Sequence, residues 1–131
     1  MNIKKLDHVG IRVMDFVRSI QFYRKMGFQV TREDYKEGVV VVKHSAGIEL
    51  NLLDSGNDSY GHKNILMDVD QRYPGYTHYA MEVSSINYAK SFLEESNVKI
   101  TEGPVTFGDG KTSLFVRDPD LNVLEFTELP K

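Results

Sequence analysis

The sequence repeats itself with an offset of 70 residues, and any fold proposed for it must be built twice. His8 falls on His78, Val13 on Val83, Asp15 on Ser85, Phe22 on Phe92, Gly27 on Asn97 and Val30 on Ile100. Both copies open on a His in an alternating stretch, Leu6-Asp-His-Val-Gly-Ile-Arg-Val13 and Gly75-Tyr-Thr-His-Tyr-Ala-Met-Glu-Val83. Alternation places successive side chains on opposite faces of a strand. In the first copy Val9, Ile11 and Val13 therefore share the face that packs under a helix. His8 and Arg12 share the other.

Each opening strand leads into a helix. Asp15 is a good N-cap, and Phe16, Ile20, Tyr23 and Met26 recur at helical spacing up to Gly27, which suits the C′ position. The spacing predicts a helix over 15–26. Its counterpart starts from Ser84 or Ser85 and carries Ile86, Ala89, Phe92 and Leu93 as its apolar stripe, ending at Asn97. Strands are predicted for 28–35, for the β-branched run at 39–43, and for 48–53. In the second half they are predicted for 98–101, 112–117 and 123–129, with a loop over 103–111 and a tight turn at Asp118-Pro-Asp-Leu-Asn122. The expected fold class is α+β, with module one at 1–53, a linker at 54–74 and module two at 75–131. Together they make a single domain of two βαβββ modules.

Composition narrows the function classes. A chain of 131 residues with seven Phe and seven Tyr has enough apolar material for a compact core. The net charge of −3 comes without a basic block, which argues against nucleic acid as the main partner. No Cys is present, so thiolate metal sites and disulfides are ruled out. The N-terminal stretch lacks an apolar signal core and no run approaches the roughly 20 apolar residues of a membrane span. The expectation is a cytoplasmic protein with neither a membrane nor a nucleic-acid partner.

Chemistry concentrates on four positions. His8, Glu49, His78 and Glu125 each sit in a predicted strand between apolar neighbours that point the opposite way. If helices cover the apolar face of each sheet, all four project from the concave side, one His and one Glu per module. Two imidazoles and two carboxylates suit a divalent metal ion such as Ni, Zn, Mn, Co or Fe, with coordination positions left for water or substrate. A lone strand His is more often structural than a ligand, and a strand Glu is usually solvated; the joint repeated pattern carries the argument. Arg12 and Glu82 lie on the same faces as their His and are candidates for contact with a ligand. His44 and His62 fall outside the repeat and are read as surface residues.

These stretches resemble the vicinal-oxygen-chelate superfamily, which includes glyoxalase I, extradiol dioxygenases, fosfomycin-resistance enzymes and bleomycin-resistance proteins. Leu6 to Val13, Ser19 to Phe28, Gly47 to Leu50, Tyr76 to Ala80 and Ser113 to Phe126 carry the likeness. The resemblance implies paired βαβββ modules whose curved mixed sheets surround a metal held by His8, Glu49, His78 and Glu125. That His, Glu, His, Glu order is the one glyoxalase I uses, and it implies a lyase or isomerase acting on a small carbonyl or hydroxy compound. Glu125 or Glu49 would then be the catalytic base, and Arg12 would bind substrate. Chains of this size in the superfamily commonly form homodimers, with the site within one chain or shared between two. Two features depart from glyoxalase I: Leu50-Asn51-Leu52-Leu53 follows the first Glu, and Leu121 stands where Gly is common in the final turn. The rival readings are ring cleavage or epoxide opening with Glu49 as a bystander, and metal-free binding of a small drug or metabolite.

Overall fold

A computed structural model describes all 131 residues. They form two compact units, Met1–Gly61 and His62–Lys131, each with one helix and one four-stranded sheet. The fold is α+β, as expected from the repeated pattern.

In the first unit β1 (Val9–Arg12) precedes α1 (Phe16–Lys25), and β2 (Gln29–Asp34), β3 (Val39–His44) and β4 (Ile48–Leu53) follow. The sheet order is β1-β4-β3-β2, with β1 parallel to β4 and the other pairs antiparallel. Asp15 caps α1 by accepting from the Val17 N–H at 2.8 Å. Gly27 ends it at φ 92°, a left-handed conformation that costs a residue without Cβ little. The helix buries Phe16, Ile20, Phe22 and Tyr23, and the sheet contributes Ile11, Val40, Val42, Leu50 and Leu52 to the same core. Each fully buried Leu adds about 2 kcal/mol by leaving water.

The second unit repeats this with β5 (His78–Glu82), α2 (Ile86–Glu95), β6 (Ile100–Thr106), β7 (Thr112–Arg117) and β8 (Val123–Glu128) in the order β5-β8-β7-β6. The α2 start is doubly capped. Ser85 Oγ accepts from the Tyr88 N–H at 3.2 Å, and the Glu128 carboxylate accepts from the Ile86 N–H at 2.7 Å. An acid at a helix N-terminus also meets the positive end of the helix dipole. Leu114, Val116 and Leu124 are wholly buried beneath it.

Three expectations are corrected. The strand alternation over residues 3–13 yields only a four-residue ladder, because β1 is an edge strand whose one partner, β4, first meets it at Val9. Ile3 and Leu6 lie exposed, and His8 immediately precedes the strand. Residues 103–106, expected as loop, belong to β6. An edge strand tolerates Pro104, which has no N–H to donate, and Gly103 takes φ 84° where the pairing with β7 shifts register. His44 is half-buried rather than on the surface. Its ring lies 5.3 Å from that of Phe28, and its Nδ1 accepts from the Ala46 N–H at 3.0 Å.

Candidate metal and substrate site

Both His–Glu pairs form on the sheet face opposite the helix. In the second unit His78 and Glu125 come from the adjacent parallel strands β5 and β8. His78 Nε2 lies 2.9 Å from Glu125 Oε2. Thr77 Oγ1 engages the other ring nitrogen, Nδ1, at 2.9 Å, which fixes the ring's orientation. The Phe115 ring meets the imidazole edge-to-face with centroids 5.9 Å apart. Glu125 is the more sheltered partner, its side chain 14% exposed against 37% for His78.

In the first unit His8 Nδ1 lies 3.9 Å from Glu49 Oε2 and 2.8 Å from Asp7 Oδ2. Ligand atoms of Asp7, His8 and Glu49 all lie within 4.8 Å of one another. The His8 hydrogen bond is the main reason the Asp7 carboxyl sits below the usual carboxylate range. A carboxylate on Nδ1 leaves Nε2 as the nitrogen free to bind, an arrangement common around metal-bound imidazoles. Sequence reasoning missed Asp7 because its side chain alternates to the apolar side of the strand pattern. Strand alternation lapses at that point, since residue 7 lies outside the ladder. Glu49 is also bound by Lys43, whose Nζ lies 3.1 Å from Oε1. Arg12 donates from Nε to Ser55 Oγ at 3.0 Å. Glu82, the other candidate, is exposed at the end of β5.

The two halves differ in register. Val9 pairs with Leu50 in the first unit, and Tyr79 with Leu124 in the second. The offset of 70 at the first strand has thus grown to 74 at the last. Glu125 stands across from Ala80 and Phe115; the residue that stands across from Gly10 and Val41 is Asn51. Glu49 lies one pleat away, beside Lys43, where the second unit has Val123 beside Arg117. The offset is still 70 between Val30 and Ile100 and already 74 between Val42 and Val116, so the extra residues lie between β6 and β7, and the β7–β8 turn matches the β3–β4 turn in length. In the β7–β8 turn Asp118, 2% exposed, accepts from the N–H groups of Asp120 and Asn122 and from the Asn122 side chain, all within 3.0 Å.

Part of the stretch expected as linker is fixed to the second unit. Arg117 grips Asp68 in a two-pronged ion pair of 2.7 and 2.9 Å. Asn64 donates from its side chain to the carbonyl of Leu121 at 3.0 Å. Leu121 holds φ 67°, so its carbonyl is turned toward the Asn64 side chain in a conformation that a glycine would adopt more cheaply.

Within the first unit the imidazole of His8 and the carboxylates of Asp7 and Glu49 form a donor set of the kind that suits a divalent transition metal. Among known proteins, a 32% identical relative is the uncharacterized protein YwkD of Bacillus subtilis, the match covering 98% of this chain and 99% of that one. A glyoxalase family protein from Enterococcus faecalis superposes with TM-score 0.79 at 26% identity, over 98% of this chain and 100% of the other. A lactoylglutathione lyase from Agrobacterium tumefaciens shares the fold, with TM-score 0.72 at 18% identity over 98% and 96% of the two chains. Residues 5–126 match one family, and the chain belongs to the glyoxalase/bleomycin resistance protein/dioxygenase superfamily.

Proposed function

We propose that this chain is a metal-dependent enzyme of the glyoxalase type, a lyase or isomerase that binds a small carbonyl or hydroxy compound and moves a proton through a glutamate. The observation that carries the reading is the His78–Glu125 pair, an oriented imidazole 2.9 Å from a sheltered carboxylate, with a second His–Glu pair in the first unit. His8, Glu49, His78 and Glu125 are the proposed metal ligands, and Asp7 orients His8. When bound, a divalent ion would polarise a carbonyl or hydroxyl oxygen of the substrate and acidify the neighbouring C–H or O–H. Glu125 is the favoured base because it is the less exposed carboxylate, 14% against 22% for Glu49. It takes the proton from the carbon beside the carbonyl and returns it to the adjacent carbon, so no proton is gained or lost overall. Arg12, held by Ser55 at the end of β1, places a cation where it would meet an anionic substituent of the substrate. We further propose that the two modules act as one functional domain and that the protein works as a cytoplasmic homodimer. No helix is long and apolar enough to cross a membrane.

A second reading keeps the metal and makes Glu49 a bystander, with ring cleavage or epoxide opening as the chemistry. The register offset and the Lys43–Glu49 ion pair support it. The experiment is deuterium wash-in from D₂O at the carbon beside the carbonyl, followed by proton NMR across a panel of small 2-oxo and 2-hydroxy carbonyl compounds. Exchange that needs added divalent ion and disappears in Glu125→Gln supports proton transfer. Oxygen uptake with catechols and no exchange supports the second reading instead.

A further inference from the structure

Asn51 occupies in the first unit the register position that Glu125 holds in the second. It stands between Gly10 on β1 and Val41 on β3, as Glu125 stands between Ala80 and Phe115. Its side chain shares a face with Glu49, since Leu50 and Leu52 on either side of it point the opposite way and are wholly buried. Its side-chain oxygen Oδ1 is covered from solvent and has no hydrogen-bond partner. A buried amide oxygen left unpaired is destabilising, and such groups persist mainly where a ligand, ion or water completes them. Gly10 adds no side chain beside it, and a Cβ built there would approach nothing closer than Leu53 at 3.9 Å. Gly10 therefore adds no side-chain bulk on the face it shares with Asn51.

We propose that the Asn51 Oδ1 atom accepts a hydrogen bond from a hydroxyl group of the bound small molecule, making Asn51 the residue that selects hydroxylated ligands. This rests on the reading of the open sheet face as the substrate site, and it deepens that reading by naming the ligand class as small 2-hydroxy carbonyl or carboxylate compounds. An ionised carboxylate at this position would accept the same bond but would repel an anionic ligand. A neutral amide reads the hydroxyl without that repulsion. Glu49, engaged by Lys43 one pleat away, is not needed for the selection.

The test is an NMR titration of the full-length protein with 2-hydroxypropionate and with 2-methoxypropionate, with and without Mn²⁺. The methoxy probe keeps the oxygen and loses the donor. Wild type is expected to bind the hydroxy probe about tenfold tighter, the worth of roughly one hydrogen bond to a buried acceptor. Asn51→Leu is expected to bind the two probes equally while melting at a higher temperature. Asn51→Asp, which retains an acceptor, is expected to keep the preference. An absent preference in wild type, a preference that survives in Asn51→Leu, or no binding of either probe overturns the proposal. Metal content of the same samples separates the two ideas. Hydroxyl preference without bound metal overturns metal dependence and leaves Asn51 standing; bound metal without preference overturns Asn51 alone.

Discussion

Replacing Asp68 with Asn removes one charge from the two-pronged contact that ties the segment before β5 to the end of β7. The distances of 2.7 and 2.9 Å to Arg117 are those of charge-assisted hydrogen bonds. The side chains are 22% and 31% exposed, so solvent screens the pair without abolishing it. Fully exposed pairs are worth 0.2 to 1 kcal/mol, and the bidentate geometry with partial shelter puts this one near the upper end, at about 1 kcal/mol. The hydrogen bond from Arg117 is the first reason the Asp68 carboxyl lies below its ordinary value of 3.8. The sign follows from linkage: a carboxyl depressed in the folded state stabilises fully above the unfolded value near 3.8. That contribution fades as pH falls through the lower, folded value. Urea denaturation of Asp68→Asn should therefore show a loss of about 1 kcal/mol at pH 7 and a smaller loss at pH 3. A double-mutant cycle with Arg117→Met should show that the two losses do not add. An Asp68→Asn variant as stable as wild type at pH 7, or one whose deficit is the same at pH 3, would refute this account of the contact.

Other predictions concern the turn and the core. Asp118→Ala strands three donors in a nearly buried turn and should cost about 2 to 4 kcal/mol in chemical denaturation. Leu121→Gly relieves a left-handed residue at φ 67°, and the melting temperature should rise by a few degrees, since the strain relieved, about 1 kcal/mol, exceeds the entropy added to the unfolded chain. Leu124→Ala empties a wholly buried position and should cost about 2 to 5 kcal/mol by the same measurement. Glu49→Gln leaves Lys43 without its charged partner at a half-exposed position and should change stability by less than about 1 kcal/mol.

Much of this arrangement was legible in the sequence because local signals and long-range packing agree. Asp15 and the Ser84-Ser85 pair marked the helix starts, Ser85 proving to be the second cap, and the helices at Phe16–Lys25 and Ile86–Glu95 keep the offset of 70. Alternation in Ile48–Leu53 and Val123–Glu128 placed Glu49 and Glu125 on the open face with apolar neighbours behind them. What the sequence hid is pairing register, because alternation repeats every two residues and is blind to a shift by two. That ambiguity let Glu49 stand as the counterpart of Glu125, whereas the ladder gives the position to Asn51. Asp7 escaped notice for a related reason: periodicity says nothing about a residue beyond the end of its ladder. The Arg117–Asp68 contact joins residues 49 positions apart through a stretch without regular structure, and no local pattern announces such a pair.

The central claim is that the His–Glu pairs hold a divalent metal, and the most direct measurement is the metal content of purified wild-type protein beside Glu125→Ala and Glu49→Ala. Near-stoichiometric divalent metal is expected in wild type, with its loss in Glu125→Ala. Retention in Glu49→Ala would assign the site to the two His and Glu125 alone, and loss in both variants would assign all four ligands. Wild-type protein that takes up no metal after incubation with Ni, Zn, Mn, Co or Fe would contradict the claim.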